Sequence, residues 1–247
     1  MSRIKMVIEY DGSLYHGFQI QANAHTIQAE LEEVLLRLTG ERVSITAAGR
    51  TDTGVHAVGQ VIAINSELGI PPEKWGAALN SCLPPDIRVL SSEEVSADFH
   101  PRFDAVRKKY AYLLYRQRQR EVFLRNYAWC NDEKLDIEAM KAACNYFVGT
   151  HNFKSFCAAG SAVKNYERRV ESCVLHHQGP YLNLEIIAAG FLYNMIRIIM
   201  GTLVEVGRGR YPAAQVEKII AAQDRKAAGV TAPPQGLYLL QVDYSGE

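Results

Sequence analysis

The sequence carries no excess of either charge: 27 Lys and Arg stand against 27 Asp and Glu, so the formal net charge is zero. That excludes a globally basic nucleic-acid binder and leaves room for a basic patch on a neutral protein. Cysteine is sparse and unpatterned. The five thiols, at positions 82, 130, 144, 157 and 173, form no CxxC and sit beside no histidine at zinc-finger spacing, which argues against a disulfide scaffold or a structural zinc. No apolar run approaches the roughly 18 residues of a membrane helix, and Met1-Ser2-Arg3-Ile4-Lys5 holds no apolar signal core. HExxH, GxSxG and Walker A motifs are missing, and Gly207-Arg208-Gly209 lacks the third glycine and the preceding strand of a dinucleotide fingerprint. No low-complexity stretch or long Gly/Ser/Pro linker interrupts the chain. These absences predict a reduced, soluble, cytoplasmic globular protein. Its 247 residues, 48% of them apolar, suffice for one large domain or two smaller halves.

Periodicity gives a coarse map. Ile4, Met6, Ile8 and Tyr10 alternate with Lys5, Val7 and Glu9, which predicts a half-buried strand closed by Asp11-Gly12. Thr26 is a plausible N-cap for a helix carrying Ile27, Leu31, Val34, Leu35 and Leu38 and ending at Gly40. Strands follow at Val43, Ile45 and Ala47 and at 58–64, then a helix opened by Pro71-Pro72 and stopped by Pro84-Pro85, then a strand at 87–90. The order β-α-β-β-α-β is that of the ferredoxin-like split unit. The second half mixes strands and helices in a similar way: a strand at 107–115, a helix face of Ile137, Met140, Cys144 and Phe147, and a hairpin at 168–175 and 182–188 turned by Gly179-Pro180. Helices at 191–206 and 212–222 and a strand at 237–242 complete it. The expected fold is α+β, with two pseudo-duplicated ferredoxin-like (RRM-like) halves, 1–100 and 101–247, with mainly antiparallel sheets and with a cleft between the halves as the default place for a site.

Three features carry chemistry. Ala48-Gly49-Arg50-Thr51-Asp52-Thr53-Gly54-Val55-His56-Ala57 is a loop between two apolar strands, the kind of place where functional groups are held by rigid elements. A guanidinium two positions from Asp52 favours its ionised form, suited to nucleophilic attack; the plain alternative is a turn aspartate bonding its own backbone. The second feature is the segment from Arg102 to Arg125. Eight basic residues (Arg102, Arg107, Lys108, Lys109, Arg116, Arg118, Arg120 and Arg125) face two acids, Asp104 and Glu121, a local charge of 8 − 2 = +6, with Tyr110, Tyr112 and Tyr115 interleaved. Clustered cations attract phosphates and aromatic faces stack on unpaired bases; the plain alternative is a solvated strand edge. Third, Arg197 lies in an apolar run, so it must reach solvent or pair with a carboxylate, for which Asp52 is a candidate.

The ordered blocks Tyr10-Asp11-Gly12, Gly17-Phe18-Gln19, Thr26-Ile27-Gln28, 49–57, Phe103-Asp104-Ala105, Lys109-Tyr110-Ala111-Tyr112, 149–153, 191–207 and Gly236-Leu237-Tyr238-Leu239 resemble the tRNA pseudouridine synthase A family over nearly the whole chain. The resemblance implies isomerisation of uridine to pseudouridine in the anticodon arm of tRNA, at positions 38–40, with no cofactor and no metal, by a homodimer. It implies Asp52 as nucleophile, Tyr110 stacking on the uracil, Arg197 pairing with Asp52, and Arg50 holding the flipped nucleotide. The expected substrate contacts around them are Gly49, Thr51, Tyr112, Arg107, Lys108, Lys109 and Leu237. Two other readings compete. Asp52-Thr53-Gly54 is the triplet of aspartic proteases, although Arg50 is a poor neighbour for an acid pair that must share one proton. A catalytically silent RNA-binding module would use the basic, tyrosine-rich segment without Asp52.

Overall fold

The structure is a computed structural model that describes residues 2–117, 122–160 and 163–245; Arg118, Arg120 and Glu121 of the basic segment lie outside the described residues. In chain order the elements are β1 (Ser2–Tyr10), α1 (Ile27–Thr39), β2 (Thr46–Ala47), β3 (His56–Ser66), α2 (Trp75–Asn80), β4 (Ile87–Val95), β5 (Ala105–Tyr115), β6 (Trp129–Cys130), α3 (Ile137–Cys144), β7 (Gly149–Asn152), β8 (Glu167–Gln178), β9 (Tyr181–Ala188), α4 (Met195–Gly207), α5 (Gln215–Ala222) and β10 (Leu237–Tyr244). They form two compact α+β units: Met1–Val106 with Tyr238–Glu247, and Arg107–Leu237.

In the first unit the strands lie in the order β4-β1-β3-β10. β1 pairs antiparallel with β3 and β4, and β10 joins β3 in parallel, Tyr238 opposite His56. Ile4, Met6, Ile8 and Tyr10 are buried as their alternation predicts, but Lys5 on the other face is buried too. Its ammonium lies 3.1 Å from Glu93 and over the rings of Tyr244 and Phe99 at 4.9 and 5.9 Å, so a carboxylate and two π faces replace the water it loses. α1 follows its pattern: the Thr26 hydroxyl accepts from the Ala29 N–H, Gly40 closes the helix in the left-handed region, and Ile27, Leu31, Val34 and Leu35 are buried. The strand expected from Val43 is only the two residues of β2, because the Ile45 N–H donates to the Glu32 carboxylate on α1.

In the second unit the order is β5-β9-β8-β7, each pair antiparallel, and β6 lies parallel alongside β5. Tyr110, Tyr112 and Leu114 stand opposite Ile186, Leu184 and Leu182, and these six side chains are buried together on one face. α4 begins at Met195, four residues later than its apolar run suggests, because Asn194 has φ 60° and an α-helix does not propagate through that conformation. Every residue of α4 is buried except Arg197. Among the described residues, no helix is long and apolar enough to cross a membrane.

Candidate active site

The Asp52 loop is set by its neighbours in the first unit. On its entry side the Ala48 N–H donates to the Val61 carbonyl at 2.8 Å, and the Gln60 side-chain amide donates to the Gly49 carbonyl at 2.9 Å. The Thr51 hydroxyl lies 2.7 Å from the Tyr10 phenol, and the Thr51 carbonyl accepts from the Phe18 N–H at 3.0 Å. On the exit side the Val55 N–H turns back to the Asp52 carbonyl at 3.1 Å, and the Gly54 N–H reaches the Tyr15 carbonyl at 3.3 Å. Residues 10–18 press against this loop so closely that a Cβ on Gly12 would collide with the Val55 carbonyl oxygen. At Gly17 (φ 90°) a Cβ would come 2.8 Å from the Thr51 carbonyl oxygen. Backbone, rather than a movable side chain, is what a substituent there would strike. His56, buried at the start of β3, accepts from the Gly12 N–H at 3.1 Å and stacks on Tyr238.

The outcome is a graded exposure: Thr51 is buried, Asp52 half-buried and Arg50 exposed. Asp52 thus rises from a backbone bonded on both sides, an arrangement that fixes the residue without enclosing it. Burial pushes the Tyr10 phenol up to about 12, against the pull of its hydrogen bonds with Thr51 and Gln60, so it remains a neutral hydroxyl.

Tyr110 and Arg197 belong to the second unit. Tyr110 is 8% exposed, and its ring meets the edge of Phe191 at 5.0 Å. Arg197 is half-buried: its Nε donates to the Ala232 carbonyl at 2.7 Å and one terminal nitrogen donates to Asn194 Oδ1 at 2.6 Å. Asn194 is the N-cap residue of α4, yet it makes no side-chain capping bond; its amide oxygen serves the guanidinium instead. The strap that supplies Ala232 is itself tied down. The Gly229 N–H donates to the Thr202 hydroxyl on α4 at 2.9 Å, Arg225 donates to the Gly229 carbonyl and the Thr231 hydroxyl, and the Tyr112 phenol donates to the Pro233 carbonyl at 2.7 Å.

The Tyr112 ring is wholly buried beneath Gly236 and its hydroxyl donates to the Pro233 carbonyl, so it supports the strap. Burial holds its phenol far above the ordinary range, with the charge on Arg197 pulling the other way. The basic residues of β5 divide by strand parity. Lys108 shares the face of Tyr110, while Arg107 and Lys109 take the other. There Lys109 lies 2.7 Å from Glu185 and Arg107 lies 4.0 Å from Glu171. Leu237 is buried at the start of β10. Arg208 is held by Glu133 and Glu205, and Arg210 by Glu205.

All five cysteines are free thiols. A hydrogen bond with Cys144 and burial raise the Cys173 thiol, which keeps it protonated and unreactive. Among the described residues no group of three or more His, Cys, Asp or Glu is arranged to hold a metal.

Sequence reasoning gave no part in a site to Tyr10, Gly12, Gly17 and Gln60, which pack around the Asp52 loop, or to Asn194 beside Arg197. Gln60 had a signal, since a polar residue within an apolar strand must find a partner when buried. Asn194 had none beyond the tolerance of asparagine for the left-handed region.

Comparison with known proteins shows the family. A family model described as tRNA pseudouridine synthase matches residues 6–104 and 143–245. A tRNA pseudouridine synthase A of Syntrophomonas wolfei is 59% identical over 99% of this chain and 98% of its own length. Namesakes from Moorella thermoacetica and Bacillus licheniformis are 48% and 49% identical over 99% and 98% of this chain, and over 100% and 99% of their own lengths. Matches along the full chain leave no place for the aspartic protease reading, which rested on one triplet. The chain belongs to the tRNA pseudouridine synthase family.

Proposed function

We propose that this protein isomerises uridine to pseudouridine in the anticodon arm of tRNA, at positions 38–40, with Asp52 as the nucleophile. The isomerase activity on tRNA follows from the family. The observation that supports the finer reading is the backbone clamp that holds Asp52 half-exposed between Thr51 and Gly54.

The reaction breaks the bond from C1′ to N1, turns the detached uracil, and joins C5 to C1′. The hydrogen on C5 leaves and N1 gains one, so the isomerisation is balanced without an oxidant or a second substrate. The base must first leave its stack, at a cost of about a few kcal/mol. Stacking on Tyr110 would offset about 1–3 kcal/mol of that. The Asp52 carboxylate attacks either C1′ of the ribose or C6 of the uracil; both routes free the base to rotate. Arg197 supplies the cation that favours an ionised carboxylate, and Arg50 and Lys108, with Gly49 and Thr51, are assigned to the nucleotide and its phosphates. Arg107 and Lys109, already beside carboxylates, contribute charge at longer range. Tyr112 and Leu237 act from beneath, as packing.

Two equivalent α+β halves, each a four-stranded sheet with helices, and a homodimer that shares each tRNA belong to the same reading. The first has the paired four-strand orders β4-β1-β3-β10 and β5-β9-β8-β7 in its support; the dimer rests on family resemblance.

The test is to incubate a full-length tRNA transcript with uridines throughout and map pseudouridine by carbodiimide adducts and primer extension. Stops confined to the anticodon arm support the reading. Stops elsewhere in the tRNA would place the enzyme's target outside the arm.

A further inference from the structure

We propose that Tyr10 and Gln60 are positioning residues for the Asp52 carboxylate; the inference rests on Asp52 being the nucleophile. Neither side chain carries the reacting group, and both are fully enclosed: Tyr10 ends β1 at 4% exposure and Gln60 sits within β3 at 0%. They are neighbours: the Gln60 side chain lies close enough to the Tyr10 phenol to pull its pKa down against the effect of burial. From there each reaches the Asp52 loop at a different point. The Gln60 amide donates to the Gly49 carbonyl at 2.9 Å, and its own oxygen accepts from the Val61 N–H, which fixes which end of the amide faces the loop. The Tyr10 hydroxyl lies 2.7 Å from the hydroxyl of Thr51, the residue directly before Asp52.

Two strands of one sheet thus hold two points of the loop through one polar knot in an otherwise apolar interior. β1 and β3 pair from Ser2 opposite Ser66 to Tyr10 opposite Ala57, with an irregularity between Ile8 and Tyr10. That irregularity lies next to the knot, where Tyr10 turns toward the loop. An apolar pair of the same volume would pack as well and cost less to bury. What a buried polar network adds is a single allowed arrangement, and a displacement of ~1 Å at a reacting group lowers rate by about a hundredfold. The bond between Tyr10 and Thr51 governs the residue that precedes Asp52 in the chain, and the bond between Gln60 and Gly49 governs where the loop leaves the sheet.

The test uses the full chain and tRNA transcript, measuring kcat and KM per tRNA-binding-competent enzyme for wild type, Tyr10→Phe, Thr51→Val, their double variant, Gln60→Met and Asp52→Asn. Tyr10→Phe removes one oxygen and keeps the ring against Phe18. Its kcat is expected to fall about tenfold, the loss of one buried hydrogen bond expressed in the transition state, with KM for tRNA unchanged. Because Tyr10 and Thr51 act through one bond, the double variant is expected to be no slower than the slower single variant. Gln60→Met is expected to lower kcat in the same way. Wild-type kcat in a folded Tyr10→Phe overturns the proposal. So do multiplied losses in the double variant, or losses in rate that vanish once rates are expressed per tRNA-binding-competent enzyme, which mark a structural role. If Asp52→Asn turns over like wild type, the nucleophile reading fails and the positioning role falls with it. An inert Asp52→Asn beside a fully active Tyr10→Phe removes the positioning role alone.

Discussion

Asn194→Ala is the substitution whose cost can be worked most fully from the structure. It removes the acceptor 2.6 Å from the Arg197 guanidinium, and it places alanine at φ 60°. A hydrogen bond to a charged group contributes about 1.5–3 kcal/mol, and half-burial of Arg197 puts this one near the lower end. The left-handed conformation costs an ordinary L-residue about 1–2 kcal/mol, a penalty asparagine partly escapes. The expected loss is therefore about 2–4 kcal/mol. Asn194→Gly separates the two contributions: it loses the bond, tolerates the angle, and adds about 0.5–1 kcal/mol of unfolded-chain entropy. The assay is urea unfolding followed by tryptophan fluorescence in a Trp75→Phe background, where Trp129 reports on the second unit. Repeated with Arg197→Met, Asn194→Ala is expected to cost only the conformational part, since the bond is already gone. A loss below about 0.5 kcal/mol, within the range of a plain surface substitution, or an equal loss in the two backgrounds, would refute the idea that Asn194 holds Arg197.

Other expectations follow from the first unit. Glu93 keeps a largely exposed side chain when Lys5 is removed, so Lys5→Met is expected to be milder than Lys5→Glu by at least about 2 kcal/mol in denaturant unfolding, because only the latter buries a second carboxylate beside Glu93; equal losses would contradict the account of Lys5. Tyr10 gives a pH dependence. Burial raises its phenol from 10.0 to about 12, so the fold prefers the protonated form. Its contribution is complete below pH 10 and is lost as pH rises from 10 to about 12, for a total of about 3 kcal/mol. The stability gap between wild type and Tyr10→Phe is expected to narrow over that window, and a constant gap would show that the phenol titrates normally.

Much of this fold was legible because periodicity and punctuation agreed. Thr26 and Gly40 bracket α1 through identifiable backbone bonds, and Gly179-Pro180 turns the hairpin of β8 and β9. What the sequence hid was tertiary. Lys5 reads as solvent-facing until Glu93, Phe99 and Tyr244 are brought around it from distant segments. α4 loses its first turn to one backbone angle at Asn194, which hydrophobicity cannot report. That β10, at the end of the chain, lies beside β3 is likewise a matter of pairing rather than of pattern. For the candidate site, the Gly49–Gly54 loop was readable as a motif, whereas its support was not. Tyr10 reads as one more alternating strand residue, and Tyr112 shares a tyrosine-rich pattern with Tyr110 although its phenol is committed to Pro233.

The central claim is that Asp52 carries out chemistry on uridine in tRNA, and release of tritium from C5 reports that chemistry directly, because a carbon–carbon bond cannot form at C5 without expelling the hydrogen there. Wild type and Asp52→Asn would be compared on tRNA transcripts labelled at C5 of uridine, with tRNA binding and thermal unfolding measured on the same preparations. The account predicts release by wild type and none above the enzyme-free blank for a folded, tRNA-binding Asp52→Asn. Release by Asp52→Asn at the wild-type rate, or no release by a folded wild type that binds tRNA, would contradict it.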